Sequence, residues 1–179
     1  MIYKFRVILD TEEDIFRDIA IEQNNTLEDF HNAIFNAFGF DGSQMASFYT
    51  CNESWEQDQE IPLFDTGEEP GEMQTMAEFQ LEDLLDNERT KIIYVYDFMN
   101  MWTFLIELAA IEDKNSAETY PALLFAHGNM PAEANTSFDG TFNDDDLYSD
   151  FDDDYDEEDL DMFADDEGFS DFADDDHNW

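Results

Sequence analysis

A chain of 179 residues has room for one core of ordinary size plus an appendage, and its 42% apolar and 16% aromatic content, with 18 Phe, can fill that core. Its 48 acidic residues against 6 basic ones give a net charge of −42. That balance weighs against direct nucleic-acid binding, which needs clustered Lys and Arg to displace counterions, and against anionic membrane surfaces, leaving basic proteins and cations as partners.

In chain order, Met1-Ile2-Tyr3-Lys4-Phe5-Arg6 reaches charge before any apolar stretch of signal length, and no later run approaches the ~18 apolar residues of a membrane span. Export and anchoring are therefore not expected, and the chain reads as cytoplasmic. Residues 3 to 9 alternate, with Tyr3, Phe5, Val7 and Leu9 against Lys4 and Arg6, the period of a half-buried strand. After the polar turn Asp10 to Asp14 the period of two returns over residues 15 to 21, so the two runs read as a hairpin. Thr26 followed by Asp29 resembles a capping box, and Leu27, Phe30, Ile34 and Phe38 fall at helical spacing until Gly39, a natural stop.

Ala46 to Cys51 predicts a short strand. The lone Cys51 agrees with a reducing compartment and reads as a small residue at a strand end, since no Lys or Arg stands near it in sequence to lower its pKa. Asn52 to Thr75, with Pro62, Gly67, Pro70 and Gly71 among acids, is expected to be mostly loop, and Leu81 to Asn87 a short helix. Ile92 to Phe98 and Trp102 to Ile111 are apolar, β-branched and aromatic runs separated by Met99-Asn100-Met101, which predicts a second hairpin; Ala122 to Ala126 adds a short strand. The order β-β-α-β-α-β-β-β predicts an α+β fold, a mixed or antiparallel sheet from two hairpins with helices mainly on one face, and its opening ββαβ order suits a β-grasp arrangement.

From about Phe138 the composition changes: 20 acids lie between Asp139 and Asp176, and no Lys or Arg follows Lys114. Such a segment buries too little apolar surface to offset its ordering entropy, and like charges extend it. The expected organisation is an α+β domain over residues 1–137 and a disordered acidic tail over 138–179. Aromatics recur within the acids, at Phe142, Tyr148, Phe151, Tyr155, Phe163, Phe169, Phe172 and Trp179. A solubility brush gains nothing from rings, whereas a segment that docks on a basic protein uses acids for steering and rings as buried anchors. The pattern looks similar to the acidic-aromatic tails of histone chaperones and nucleic-acid mimics.

Tyr94-Val95-Tyr96-Asp97-Phe98, followed by Trp102 and Ile106-Glu107 and preceded by Thr26-Leu27, Phe30-His31, Ile34 and Ala37-Phe38-Gly39, resembles the plasmid pRiA4b ORF-3-like family, also described as an insertion-element passenger family. The resemblance covers roughly residues 1 to 142 and implies a shared fold and a link to mobile elements. The family's pattern reads Tyr-Asp-Phe-Gly-Asp-x-Trp-x-His, and here Met99 and Asn100 replace the Gly and Asp while Phe104 replaces the His. In the later Pro-Pro-Glu-Asp-x-Gly-Gly stretch, Pro131 and Glu133 match, but Ala132 and Ala134 stand for the second Pro and the Asp, and the Gly pair is missing.

These departures shape the site expectations. His31, Tyr96, Asp97 and Trp102 form the candidate pocket, yet acid-base work by Asp97 needs a partner base, and the corresponding His is Phe104. The bland readings are a turn cap for Asp97, hairpin packing for Trp102 and a hydrogen-bonded boundary histidine for His31. Asp150, Asp152, Asp154, Asp156 and Glu158 alternate like calcium-loop ligands, but Tyr155 occupies the position where the sharp turn calls for Gly. No cofactor, metal or catalytic set is expected. The leading expectation is a non-enzymatic interaction protein whose tail captures a basic protein surface; the alternative is a small-molecule-binding or vestigial enzymatic domain with a pocket near Asp97, Trp102 and His31, the tail serving solubility.

Overall fold

The computed structural model describes residues 1–132. These lie in the first of two units, Met1–Asp139, the second being Gly140–Trp179. The expected boundary near residue 138, the eight tail aromatics and the alternating acids from Asp150 to Glu158 all fall outside the described residues.

Ten elements follow in order: β1 (Ile2–Leu9), β2 (Phe16–Glu22), α1 (Leu27–Phe38), β3 (Ala46–Cys51), β4 (Gln57–Pro62), a 3-10 turn (Met76–Glu78), α2 (Leu81–Leu84), β5 (Lys91–Tyr96), β6 (Trp102–Glu112) and β7 (Ala122–His127). The strands form one seven-stranded sheet in the order β4-β3-β5-β6-β1-β2-β7. Its six neighbouring pairs are all antiparallel. The first strand lies beside β6, antiparallel to it, so the β-grasp arrangement suited to the opening elements is not confirmed by this order.

Alternation places the core. Phe5, Val7 and Leu9 of β1, Ile19 and Ile21 of β2, Phe48 of β3, Ile92, Tyr94 and Tyr96 of β5, and Phe104 and Ile106 of β6 all join one buried cluster with the apolar stripe of α1. A fully buried Leu, Ile or Phe contributes about 1.5–3 kcal/mol through area removed from water, so this stripe holds the helix to the sheet. Rings provide the seam: Phe30 meets Phe5 at 4.5 Å and Phe48 at 5.7 Å between centroids, and Phe38 meets Phe104 at 4.6 Å. Because Phe5, Phe48 and Phe104 belong to three strands, α1 bridges β1, β3 and β6.

The ends of α1 follow from its sequence. Thr26 Oγ1 accepts from the Asp29 amide at 3.1 Å, and the Thr26 amide donates to Asp29 Oδ2 at 2.9 Å, which closes a reciprocal capping box with Asp in the usual Glu position. At the other end Gly39 takes φ 81°, the left-handed conformation that glycine adopts without strain.

The stretch from Asn52 to Thr75 is mostly loop, as expected, but holds one strand, β4. Gln57-Asp58-Gln59-Glu60 has no apolar alternation and is exposed; only Ile61 and Pro62 are buried. Pairing with β3 (Ser47↔Pro62, Phe48↔Ile61, Tyr49↔Glu60) defines this strand, a long-range cause that local propensity does not carry. The expected helix over Leu81–Asn87 shortens to one turn, Leu81–Leu84. Among the described residues no helix is long and apolar enough to cross a membrane.

Candidate functional site

β5 positions most of the candidate residues. Its period of two turns Ile92, Tyr94 and Tyr96 toward α1, and the chain then reverses through Asp97-Phe98-Met99-Asn100-Met101 into β6, where Trp102 pairs with Tyr96. Asp97 and Met101 hold left-handed backbone at φ 61° and 55°, unusual for residues with a Cβ. Side-chain bonds offset this strain: Asp97 Oδ1 accepts from the Met99 amide at 3.0 Å, and Oδ2 accepts from Asn100 Nδ2 at 2.7 Å. The Met101 amide closes the turn on the Asp97 carbonyl at 2.6 Å. The carboxylate is therefore spent on its own turn.

Tyr96 and Trp102 share one neighbour, Phe40, whose ring centroid lies 4.4 Å from Tyr96 and 6.4 Å from Trp102. The Tyr96 hydroxyl accepts from the Gly42 amide at 3.1 Å and donates to Asp41 Oδ1 at 3.2 Å, tying the segment after α1 to β5. Burial raises the Tyr96 pKa, and the Asp41 charge adds to it.

His31 goes elsewhere. On α1 it is 2% exposed, with Nδ1 2.7 Å from the Tyr94 hydroxyl and its ring 5.0 Å from Phe35. Burial lowers its pKa to about 4 and raises that of Tyr94 well above the ordinary phenol value, so both are neutral. The structure thus gathers Tyr96, Asp97 and Trp102 at one end of the β5–β6 pair and places His31 inside the core. Tyr94 is the residue that the sequence reading left out of the candidate set, and its inward register opposite the helical stripe was the available signal.

Two clefts lie apart from these four side chains. One, of about 590 Å³, is lined by Cys51, Asn52, Glu56, Leu85, Arg89 and Lys91 among others. The sheet brings Lys91 close enough to Cys51 to pull its thiol pKa down, a neighbour invisible in sequence, but burial is the larger effect and raises it. Lys91 is itself engaged, donating to the Glu53 carbonyl at 2.9 Å and lying 5.1 Å from the Trp55 ring centroid. The other cleft, about 510 Å³, runs between α1 and β7 along Asn32, Ala33, Ala37, Pro121 and Leu123. Among the described residues no group of three or more His, Cys, Asp or Glu is placed to hold a metal ion.

The family model described as plasmid pRiA4b ORF-3-like protein matches residues 1–177, past the expected end of the resemblance at 142. In fold, the chain is similar to the crystal structure of a protein of unknown function from Methanosarcina mazei Go1, with a TM-score of 0.60 and 21% identity over 70% of this chain and 68% of the other. No curated protein matches the chain.

Proposed function

The chain belongs to the plasmid pRiA4b ORF-3-like family, and from that premise we propose that it is a non-enzymatic interaction protein, its domain a scaffold and its acidic, ring-bearing C-terminal segment the element that captures a basic protein surface. One observation carries the reading: all six cations of the chain are already engaged within the domain. Lys4 pairs with Glu112 at 2.6 Å, Arg6 with Asp18 at 2.8 Å, Arg89 with Asp86 at 2.7 Å, Lys91 with Glu53 at 3.2 Å and Lys114 with Glu22 at 2.7 Å. Arg17 donates to the carbonyls of Phe16, Ala37 and His127. With 48 acids in the chain, nearly all negative charge is left over, and a partner that neutralises it must be cationic.

The rings at Phe142, Tyr148, Phe151, Tyr155, Phe163, Phe169, Phe172 and Trp179 supply the apolar anchors that pure charge lacks. In the domain, the candidate carboxylate, Asp97, caps its own turn, and His31 is inside the core, which supports a scaffold over a catalytic pocket.

The test is capture of basic proteins by the full chain, by residues 1–137, and by a full-length variant with the eight tail aromatics changed to Ala. The expected order is full chain above the ring-less variant above residues 1–137, with capture by the full chain falling steeply as salt shortens the Debye length from about 30 to 8 Å. Equal recovery by all three proteins would sink the proposal.

A further inference from the structure

The two edges of the sheet differ in a way the proposed function does not use. β4, at one edge, carries exposed Asp58 and Glu60. Charges on an edge strand repel another strand that would add to it, a common protection of unpaired backbone donors and acceptors. β7, at the other edge, reads Ala122-Leu123-Leu124-Phe125-Ala126-His127 and holds no acidic residue and no Lys or Arg. In a chain of net charge −42, β7 carries no guarding charge, and its one guard among the described residues is the bulge at Leu124.

β7 also exposes its apolar side chains on both faces. Its register against β2 shifts between Asp18 and Ile19, so that Phe125 stands opposite Asp18 and Leu123 opposite Ile19, on opposite faces of the sheet. Leu123 is 52% exposed and borders the cleft against α1; Phe125 is 53% exposed and lies 5.9 Å from the Phe16 ring. Leu124, between them, is 46% exposed. An added strand would pair the backbone edge that no described strand occupies and cover both overhangs at once.

We propose that β7 is a self-association edge, where a second copy of this chain adds its own β7 antiparallel across a two-fold axis and continues the sheet through both subunits. Charge selects the occupant. A cationic partner finds no carboxylate on β7 itself, only Asp18 and Asp29 beside it, whereas the same strand from another copy is uncharged, apolar and self-complementary under a two-fold axis. The guarded β4 edge then closes the assembly at two subunits, since chain growth needs two open edges. The two acidic bodies repel one another at long range while the seam itself opposes no charges, so salt strengthens this association. Capture of a basic protein has the opposite salt dependence, so the two proposals fail separately.

Sedimentation equilibrium of the full chain over a range of salt and protein concentration tests it, with Leu124→Glu and Leu124→Lys beside the wild type. Leu124 is half exposed, so neither change disturbs the core, and circular dichroism with a thermal melt checks the fold of both. The expected result is a species of twice 20.9 kDa whose share grows with salt. Each variant places like charges at the seam and should weaken the dimer at least about tenfold, the equivalent of ~1.4 kcal/mol. A chain that stays monomeric at every salt concentration, as it would if another segment of the same chain or a different protein occupied β7, overturns the proposal. So does a dimer that both folded variants leave unchanged, or an assembly growing beyond two copies.

Discussion

His31 and Tyr94 are the polar pair that the core had to accommodate. Every buried side-chain nitrogen and oxygen among the described residues has a hydrogen-bond partner, and this pair satisfies one of the deepest, at 2.7 Å. Burial holds the imidazole pKa near 4, against 6.5 for the ordinary group. Between those values the unfolded chain binds more protons than the folded one, so stability must fall as pH drops from 6.5 toward 4, and His31 adds no further loss below that. The loss should be on the order of 2 kcal/mol. A His31→Leu variant should lose this pH dependence while starting about 1–3 kcal/mol less stable at neutral pH, because the Tyr94 hydroxyl is left unpaired. Urea unfolding of both proteins at about pH 7 and about pH 5 measures it; identical pH responses would show that His31 is not the titrating group.

At the scale of elements, α1 combines local and tertiary causes. Its start and stop were legible: the Thr26 and Asp29 box closes as the sequence predicts, and Gly39 supplies the left-handed stop. A Cβ at Gly39 would meet nothing within 4 Å, so Gly39→Ala should cost about 1–2 kcal/mol from backbone strain alone, and Thr26→Ala about 1 kcal/mol from the lost cap. Denaturant midpoints at constant slope check both, and a Gly39→Ala variant of wild-type stability would contradict the strain assignment. What anchors the helix C-terminus was not legible. Arg17 sits on the inward face of β2, where the alternation calls for an apolar residue, and its guanidinium joins three carbonyls on β2, α1 and β7. It also lies 4.8 Å from the Phe38 ring centroid. A charged residue at an inward position is tolerated when its donors find partners, and only the folded chain says which carbonyls those are.

For the whole molecule, repulsion outweighs pairing. The domain's five ion pairs are largely exposed, and exposed pairs are worth roughly 0–1 kcal/mol each and are screened along with the repulsion. With a net charge of −42, screening removes more unfavourable than favourable energy, because compaction brings like charges together. The melting temperature should therefore rise between about 10 mM and about 0.5 M sodium chloride. A fall over that range would mean that the ion pairs matter more than the excess acid. A rise continuing well past the screening range would point to adaptation to high salt.

Taken alone, the residue order determined what depends on near neighbours: the period-two strands over residues 3–9 and 15–21, the capped helix, the apolar runs on either side of Met99-Asn100-Met101, the family, and a net charge of −42. Tertiary structure decided what depends on residues far apart in the chain. Polar β4 is a strand because β3 pairs with it, His31 is neutral because Tyr94 and the core enclose it, and Cys51 meets Lys91 across the sheet. Lys4, Lys91 and Lys114 found Glu112, Glu53 and Glu22 in the same way, whereas Arg89 pairs with Asp86 only three residues away. Alternation and caps are written over a few residues, whereas burial and pairing are properties of the closed sheet.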